Sequence, residues 1–408
     1  MGAEAGQGIE WSALLDPASL VLTLLGLAIV TASAYRSLIF ERETEKRGEV
    51  SSENFVTIDT AQALGIPILS SCILLLVFYF FSFISMALVV LMALCAASAL
   101  AFALTPVVNG FCRWAGSTTL PSAASKQRPG TSAAEVEAHV PRASMSSNAL
   151  LDPLLCGLSF AQMVLGLLSS AVVILWLVSG HWVLNDILGA ALCVTFSSYV
   201  RLPNLKVCTV LLLCLFTYDI FWVFLSEHFF GQNVMVSVAT QQSVNPVHTV
   251  AKRLRLDVPE VVQTELELPV KLIIPHALFT SEALENARER QFLILGLGDL
   301  ALPSLLLAFA LCHDNRKLKA QNSSLTDAAR QATRSTFWPD ALRELGYFPT
   351  CTVGYLLGLE IALMMGVIFR AAQPALLYIV PLTLGPFLIM SAIKGELGSV
   401  WHGSVKLL

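Results

Sequence analysis

Two carboxylates stand where carboxylates are rare. Asp299 interrupts the apolar run Phe292–Phe309, FLILGLGDLALPSLLLAF, and Asp219 interrupts Val207–Phe230, VCTVLLLCLFTYDIFWVFLSEHFF. Both runs are long enough to cross a bilayer. An ionisable group in midspan costs roughly 2.5–3.5 kcal/mol on insertion scales, so it is rarely kept without a use. If the two side chains meet, they cannot both hold charge, and they share one proton. The ionised member then takes a proton from water while the protonated member donates to a carbonyl oxygen. Attack gives a tetrahedral diol, with no covalent enzyme intermediate.

Meeting is allowed by depth. Successive crossings run antiparallel. If one helix enters at Val207, Asp219 lies twelve residues along, and if the next leaves at Leu311, Asp299 lies twelve residues from the same face. Both carboxylates are then about 18 Å deep, at 1.5 Å rise per residue. Around Asp299, Gly296 and Gly298 flank Leu297. The glycines either admit another backbone close to the carboxylate or supply a small-residue packing face. Tyr218 either donates a hydrogen bond beside Asp219 or packs with Phe216 and Trp222. The stretch Leu266–Pro275, LELPVKLIIP, alternates weakly between prolines. With Leu272, Ile273 and Ile274 at its centre, it reads as an extended strand that pairs with an unwound peptide, or as a simple loop. Gln373-Pro374-Ala375-Leu376 opens the last apolar segment, where proline suits a first helical turn.

The elements that position these groups are membrane helices. The chain has 408 residues, 55% hydrophobic and 13% charged, with mean hydropathy +0.70. Soluble domains carry about 25% charged residues. The fold class expected is an all-α membrane protein with nine transmembrane helices, near 19–34, two within 63–108 split at Ser82–Ser85, 154–178, 183–200, 207–230, 292–311, 350–369 and 374–393. The first five (1–204) read as an N-terminal bundle with a flexible loop at about 110–152. The remainder (205–408) reads as a catalytic part, with loops at about 231–290 and 312–343. A net charge of −4 gives no reason to expect a nucleic-acid partner. Nine cysteines without a C-x-x-C pair read as small buried hydrophobes, not a disulfide framework or a metal site.

Basic residues cluster in alternate short loops, which places the N-terminus in the lumen and the C-terminus in the cytosol. The basic residues of the 231–290 loop run mildly against this, and the Asn322-Ser-Ser sequon falls on the cytosolic side. No basic residue precedes the first apolar run, which argues against a cleaved signal peptide. Gly2 lacks the downstream Ser or Thr of a myristoylation motif. Lys406 is taken as a chance lysine rather than a retrieval signal.

Tyr218-Asp219, Gly296-Leu297-Gly298-Asp299 and Pro374-Ala375-Leu376, in this order on segments six, seven and nine, resemble the YD, GxGD and PAL motifs of the intramembrane aspartyl proteases, the presenilin and signal peptide peptidase family. Within it, Gly180-His181-Trp182, Val200–Val207, Asn233–Gln241, Arg370–Tyr378 and Lys394-Gly395-Glu396 resemble the third signal peptide peptidase-like subgroup. The resemblance implies a nine-helix, metal-free aspartic endopeptidase without cofactors. Asp219 and Asp299 would be its catalytic pair, and Pro374, Ala375 and Leu376 would shape the site and the substrate strand. It implies type II membrane proteins or signal peptides as substrates, within the lipid bilayer of the Golgi or endoplasmic reticulum. A homo-oligomer is left open. Glu360, inside segment eight, departs from the expected neutral residue; it either faces a water-filled cavity or bonds a neighbouring helix. Water is expected to reach the carboxylates from the cytosolic side. The competing classes are a proton or ion transporter using the same carboxylates and a non-catalytic binder of membrane helices.

Overall fold

Apolar runs dictate helices here, because a backbone amide in lipid finds no water and must bond within its own segment. The computed structural model describes residues 17–47, 55–114, 160–241, 243–246, 248, 265–275, 292–324, 346–369 and 373–403. Its helices are α1 (Pro17–Arg47), α2 (Thr60–Trp114), α3 (Phe160–Ser179), α4 (Trp182–Tyr199), α5 (Leu205–Ile220), α6 (Ser226–Phe230), α7 (Val234–Thr240), α8 (Gly298–Ser324), α9 (Tyr347–Phe369), α10 (Leu376–Ile393) and α11 (Leu397–His402). Among the described residues seven helical stretches are long and apolar enough to cross a membrane: Pro17–Glu45, Thr60–Phe81, Phe83–Val108, Gln162–Ser179, Leu205–Phe230, Tyr347–Phe369 and Leu376–Ile393. The two remaining expected segments are α4 and α8, each of which carries an aspartate.

The long second run breaks where the sequence suggests. Phe80 leaves helical geometry (φ −116°, ψ 17°), two residues before the expected split. Helix ends are set by local chemistry. Gly180 takes φ 58° and closes α3, a left-handed conformation that a Cβ resists. The next residue, His181, caps α4: its Nδ1 accepts the Val183 N–H at 3.2 Å. The Gly180-His181-Trp182 turn is therefore a stop signal followed by a cap. Asn204 caps α5 in the same way, accepting the Val207 N–H at 2.9 Å.

The seventh segment departs from its expected form. Phe292–Gly296 is not helix but a strand, β6, paired antiparallel with β5 (Lys271–Pro275), and α8 begins only at Gly298. A short apolar run has no periodicity that separates strand from buried helix, and here the partner strand decides. The pairing sets Leu272 opposite Leu295 and Ile274 opposite Leu293. Leu272, Ile274 and Leu295 are buried in the main apolar core, against Leu300, Leu305 and Leu307 of α8. Short strands β1 (Val56–Thr57), β2 (Val200–Arg201), β3 (Ser243–Val244) and β4 (Glu265–Leu266) form two further pairs.

Other boundaries also move. The loop expected over 312–343 is helical through Ser324, as α8, and the loop expected over 231–290 contains α7, β3, β4 and β5. Residues 115–159, including most of the 110–152 loop, lie outside the described part, as do Lys406 and the chain start. Among the described cysteines, Cys193, Cys208, Cys312 and Cys351 are buried as expected, whereas Cys72 and Cys95 are exposed on α2.

The main core draws on both parts of the chain: Leu22 of α1 and Cys193 of α4 pack with Leu211, Leu300, Tyr355 and Leu384. α9 and α10 approach at Gly354 and Gly358, one helical turn apart. A Cβ built on Gly354 would lie 1.9 Å from the Leu382 carbonyl oxygen, and one on Gly358 would lie 2.8 Å from Ile379 Cα. Small residues at this spacing let membrane helices touch backbone to backbone. At the far ends of these helices, Glu396 accepts from Lys317 Nζ and, at 2.9 Å, from the Tyr347 hydroxyl, while Asp314 accepts the Phe348 N–H at 2.9 Å. The Lys394 ammonium stands 4.3 Å from the Tyr347 ring centroid. Lys394-Gly395-Glu396 is thus a staple across α8, α9 and α10.

Candidate active site

Asp219 is the penultimate residue of α5 and only 3% exposed. Its Oδ2 accepts a hydrogen bond from the Leu376 N–H at 3.2 Å. Leu376 is the first residue of α10, and the leading N–H groups of a helix have no partner within it. Pro374 contributes no N–H, and its carbonyl accepts the Leu377 N–H at 3.1 Å, which starts the turn. Ala375 holds αR geometry as the helix cap. The sequence Pro-Ala-Leu therefore points a helix N-terminus, the positive end of its dipole, at the carboxyl of Asp219.

Asp299 is the second residue of α8 and half-buried. The strand-to-helix turn that delivers it is fixed by Leu297, whose N–H donates to the Val270 carbonyl at 2.9 Å and whose carbonyl accepts from Ala301 at 2.8 Å. The two glycines now separate in role. A Cβ at Gly296 would stand 3.1 Å from Asp299 Oδ2, so this glycine keeps the space beside the carboxylate. Gly298 has nothing within 4 Å of such a Cβ and is simply the start of the helix. The Asp219 and Asp299 carboxyls lie within coulombic reach of one another. α10 packs against both α5 and α8, and so holds the two carboxylate-bearing helices in one frame.

Asp299 sits at the very start of α8, directly after the β5–β6 pair, with the rest of that helix running on toward Ser324.

Tyr218 packs: its ring centroid is 6.3 Å from that of Trp222. Trp222 Nε1 in turn donates to Ser71 on α2 at 3.1 Å. Directly after Asp219 the helix widens into a π-turn at Phe221–Leu225, a distortion often found beside functional groups. Its loosened carbonyls are taken up by side chains: Asn233 Nδ2 donates to Val223 at 2.7 Å and the Ser226 hydroxyl to Trp222 at 2.5 Å. Glu360 is half-buried on α9.

Leu272, Ile273 and Ile274 do form a strand, but its edges are engaged. One edge pairs with β6, and on the other the Ile273 N–H donates to Asp186 Oδ1. Antiparallel alternation turns the N–H and C=O of Leu293 and Leu295 toward β5, and those of Ile294 and Gly296 outward. Ile294 is 48% exposed. The edge open to a further strand is therefore that of β6, not that of β5.

Sequence reasoning missed Tyr355 of α9. It is fully buried, its hydroxyl has no hydrogen-bond partner among the described residues, and it lies in coulombic reach of Asp299. It also missed Asn185 and Asp186 of α4, although Asp186 interrupts an apolar segment as visibly as Asp219 does. Among the described residues no group of three or more His, Cys, Asp or Glu is placed to hold a metal ion.

A helical membrane bundle thus carries two aspartates within coulombic reach of one another. A family profile described as signal peptide peptidase matches residues 50–406. Signal peptide peptidase-like 1 of Oryza sativa subsp. japonica is 42% identical over 393 residues, covering 96% of this chain and 95% of that protein. Its counterpart in Arabidopsis thaliana is 40% identical, covering 96% and 94%. Signal peptide peptidase-like 2B of Homo sapiens is 33% identical over 250 residues, 60% of this chain and 35% of that protein. No solved structure gives a significant match. The chain belongs to the signal peptide peptidase family: it is a multi-pass membrane protein and an intramembrane aspartic protease.

Proposed function

We propose that this enzyme hydrolyses peptide bonds within or beside the transmembrane helix of type II membrane proteins or signal peptides, with Asp219 and Asp299 as the catalytic pair and no metal. The observation that carries this reading is that Asp219 accepts the leading N–H of α10 while its carboxyl lies within coulombic reach of Asp299. The shared-proton chemistry of adjacent carboxylates follows: one activates water, the other protonates the scissile carbonyl oxygen.

A substrate helix must unwind first, because its carbonyls are bonded and shielded. Freed backbone groups are costly in lipid, so the enzyme has to supply partners. The outward N–H and C=O groups of Ile294 and Gly296 on β6 are those partners, five and three residues from Asp299. Leu272, Ile273 and Ile274 back this strand rather than touch substrate, and Pro374, Ala375 and Leu376 close the opposite side. The working topology has nine crossings, an N-terminal bundle through residue 204, a lumenal N-terminus and a cytosolic C-terminus, in Golgi or endoplasmic reticulum membranes.

The test is a cleavage assay in detergent on a single-span type II substrate, with and without an aspartic-protease transition-state mimic. Inhibitor-sensitive cleavage supports the proposal. Substrate retention without turnover indicates a binder of helices, and ion flux through reconstituted vesicles without cleavage indicates a transporter.

A further inference from the structure

Two strands alone make a marginal sheet in water, yet β5–β6 must hold the edge that leads directly into Asp299. The brace is a helix. Asn185 Nδ2 donates to the Lys271 carbonyl at 2.9 Å, and the Ile273 N–H donates to Asp186 Oδ1 at 2.9 Å. Lys271 and Ile273 are alternate residues, so the groups they offer are those facing away from β6. Two successive side chains on α4 thus stand where a third strand would put its amide and its carbonyl. Both are buried, at 1% and 7% exposure.

Gly189, one turn further along α4, permits the approach. A Cβ there would lie 2.8 Å from Leu297 Cδ1 and 3.5 Å from the Pro269 carbonyl oxygen. The same helix face therefore contacts Pro269 two residues before β5, the strand itself, and the leucine between the two glycines that precede Asp299. A purely apolar face would have packed here without burying an amide and a carboxyl, each of which must be desolvated.

We propose that Asn185, Asp186 and Gly189 form a surrogate strand that clamps the β5–β6 hairpin and thereby sets which substrate bond lies over the carboxylates. These are positioning residues that act through the sheet, and the proposal rests on the proteolytic reading above. With the clamp in place, β6 offers one rigid edge, and a substrate strand seats in one register. With it loosened, the edge bends and admits a second register. Because side chains alternate along a strand, the allowed slip is two residues.

The experiment uses the full-length protein in detergent and a single-span peptide substrate, with Asp186→Leu, Asp186→Asn and Asn185→Ala. Three quantities are read: cleavage positions by mass spectrometry, KM and kcat separately, and amide exchange of the peptide covering 271–275. Asp186→Leu is expected to raise exchange there by about fivefold or more, the scale set by losing one hydrogen bond. It should also raise KM more than it lowers kcat, and add a product displaced by two residues. Asp186→Asn keeps an acceptor oxygen and should match the unaltered protein. Unchanged exchange and a single cleavage position in a folded Asp186→Leu protein overturn the clamp, as does equal damage from Asp186→Asn. If Asp186→Leu fails to fold, Asn185→Ala decides on the same readouts, with the same overturning result. A protein that never cleaves but shows the exchange pattern contradicts only the proteolytic reading.

Discussion

Replacing Gly354 by alanine tests how α10 is held against Asp219. The added Cβ would sit 1.9 Å from the Leu382 carbonyl oxygen. Ordinary carbon–oxygen contact is about 3.3 Å, so α9 and α10 must part by about 1.4 Å at that point. Backbone, not a yielding side chain, occupies the space, so the separation is carried along α10. Leu376 lies under two turns away, and its N–H stands 3.2 Å from Asp219 Oδ2. A shift of even half the full separation takes that pair beyond hydrogen-bonding range. Overpacking of this kind costs about 1–3 kcal/mol, and a misplacement of about 1 Å at a reacting centre lowers rates by about 100-fold. Gly385→Ala in α10 is the control, since nothing lies within 4 Å of its Cβ. The assay is kcat for peptide cleavage in detergent, alongside thermal unfolding. Wild-type kcat and stability in Gly354→Ala would refute the claim that this helix contact positions the catalytic frame.

Leu376→Pro removes the N–H that Asp219 accepts, and it also strains the first turn of α10, because proline disfavours the αR geometry of the preceding Ala375. It should lower kcat by about tenfold, on the scale of a hydrogen bond to a charged group, while Leu376→Ala, which keeps the N–H, serves as the packing control. Asn233→Ala strips the donor from the Val223 carbonyl in the π-turn and should destabilise the protein by about 1–3 kcal/mol, read as a lower Tm. Burial pushes the Glu396 carboxyl up, but the Lys317 and Tyr347 hydrogen bonds and the Lys317 charge outweigh it and hold the group below its ordinary value. Its stabilising contribution is therefore complete above the unfolded carboxylate value, about 4.3, and is lost as pH falls through the lower folded value. Glu396→Gln should flatten the Tm-against-pH curve in that acidic window, and an unaltered curve would count against the staple.

The membrane class and the two aspartates proposed as catalytic were conspicuous because their signals are local. A carboxylate inside an apolar run is conspicuous without any partner, and Gly296 stands beside Asp299 and Leu376 beside Asp219 in space. The split of α2 was legible from length alone, and Phe80 breaks near it. Phe292–Gly296 was not legible as a strand, because its partner lies across residues 276–291 and a five-residue apolar run fits either form. The extension of α8 through Ser324 was hidden by polar composition: Arg316 and Lys317 leave the apolar run but are held by Glu41 of α1 and by Glu396 in the turn after α10. Asp186 was visible yet overlooked, since its meaning depends on β5. Gly354 and Gly358 carried a small-residue spacing that shows its consequence only against the backbone of α10.

The central claim is that Asp219 and Asp299 act as one unit, and single and paired substitutions measure it most directly. Asp219→Asn, Asp299→Asn and the double variant are compared for peptide cleavage, with thermal unfolding as the check on folding. Two groups sharing one proton predict that each single change abolishes turnover, that the double change costs no more than either, and that all three remain folded. Substantial cleavage by either folded single variant would contradict the account.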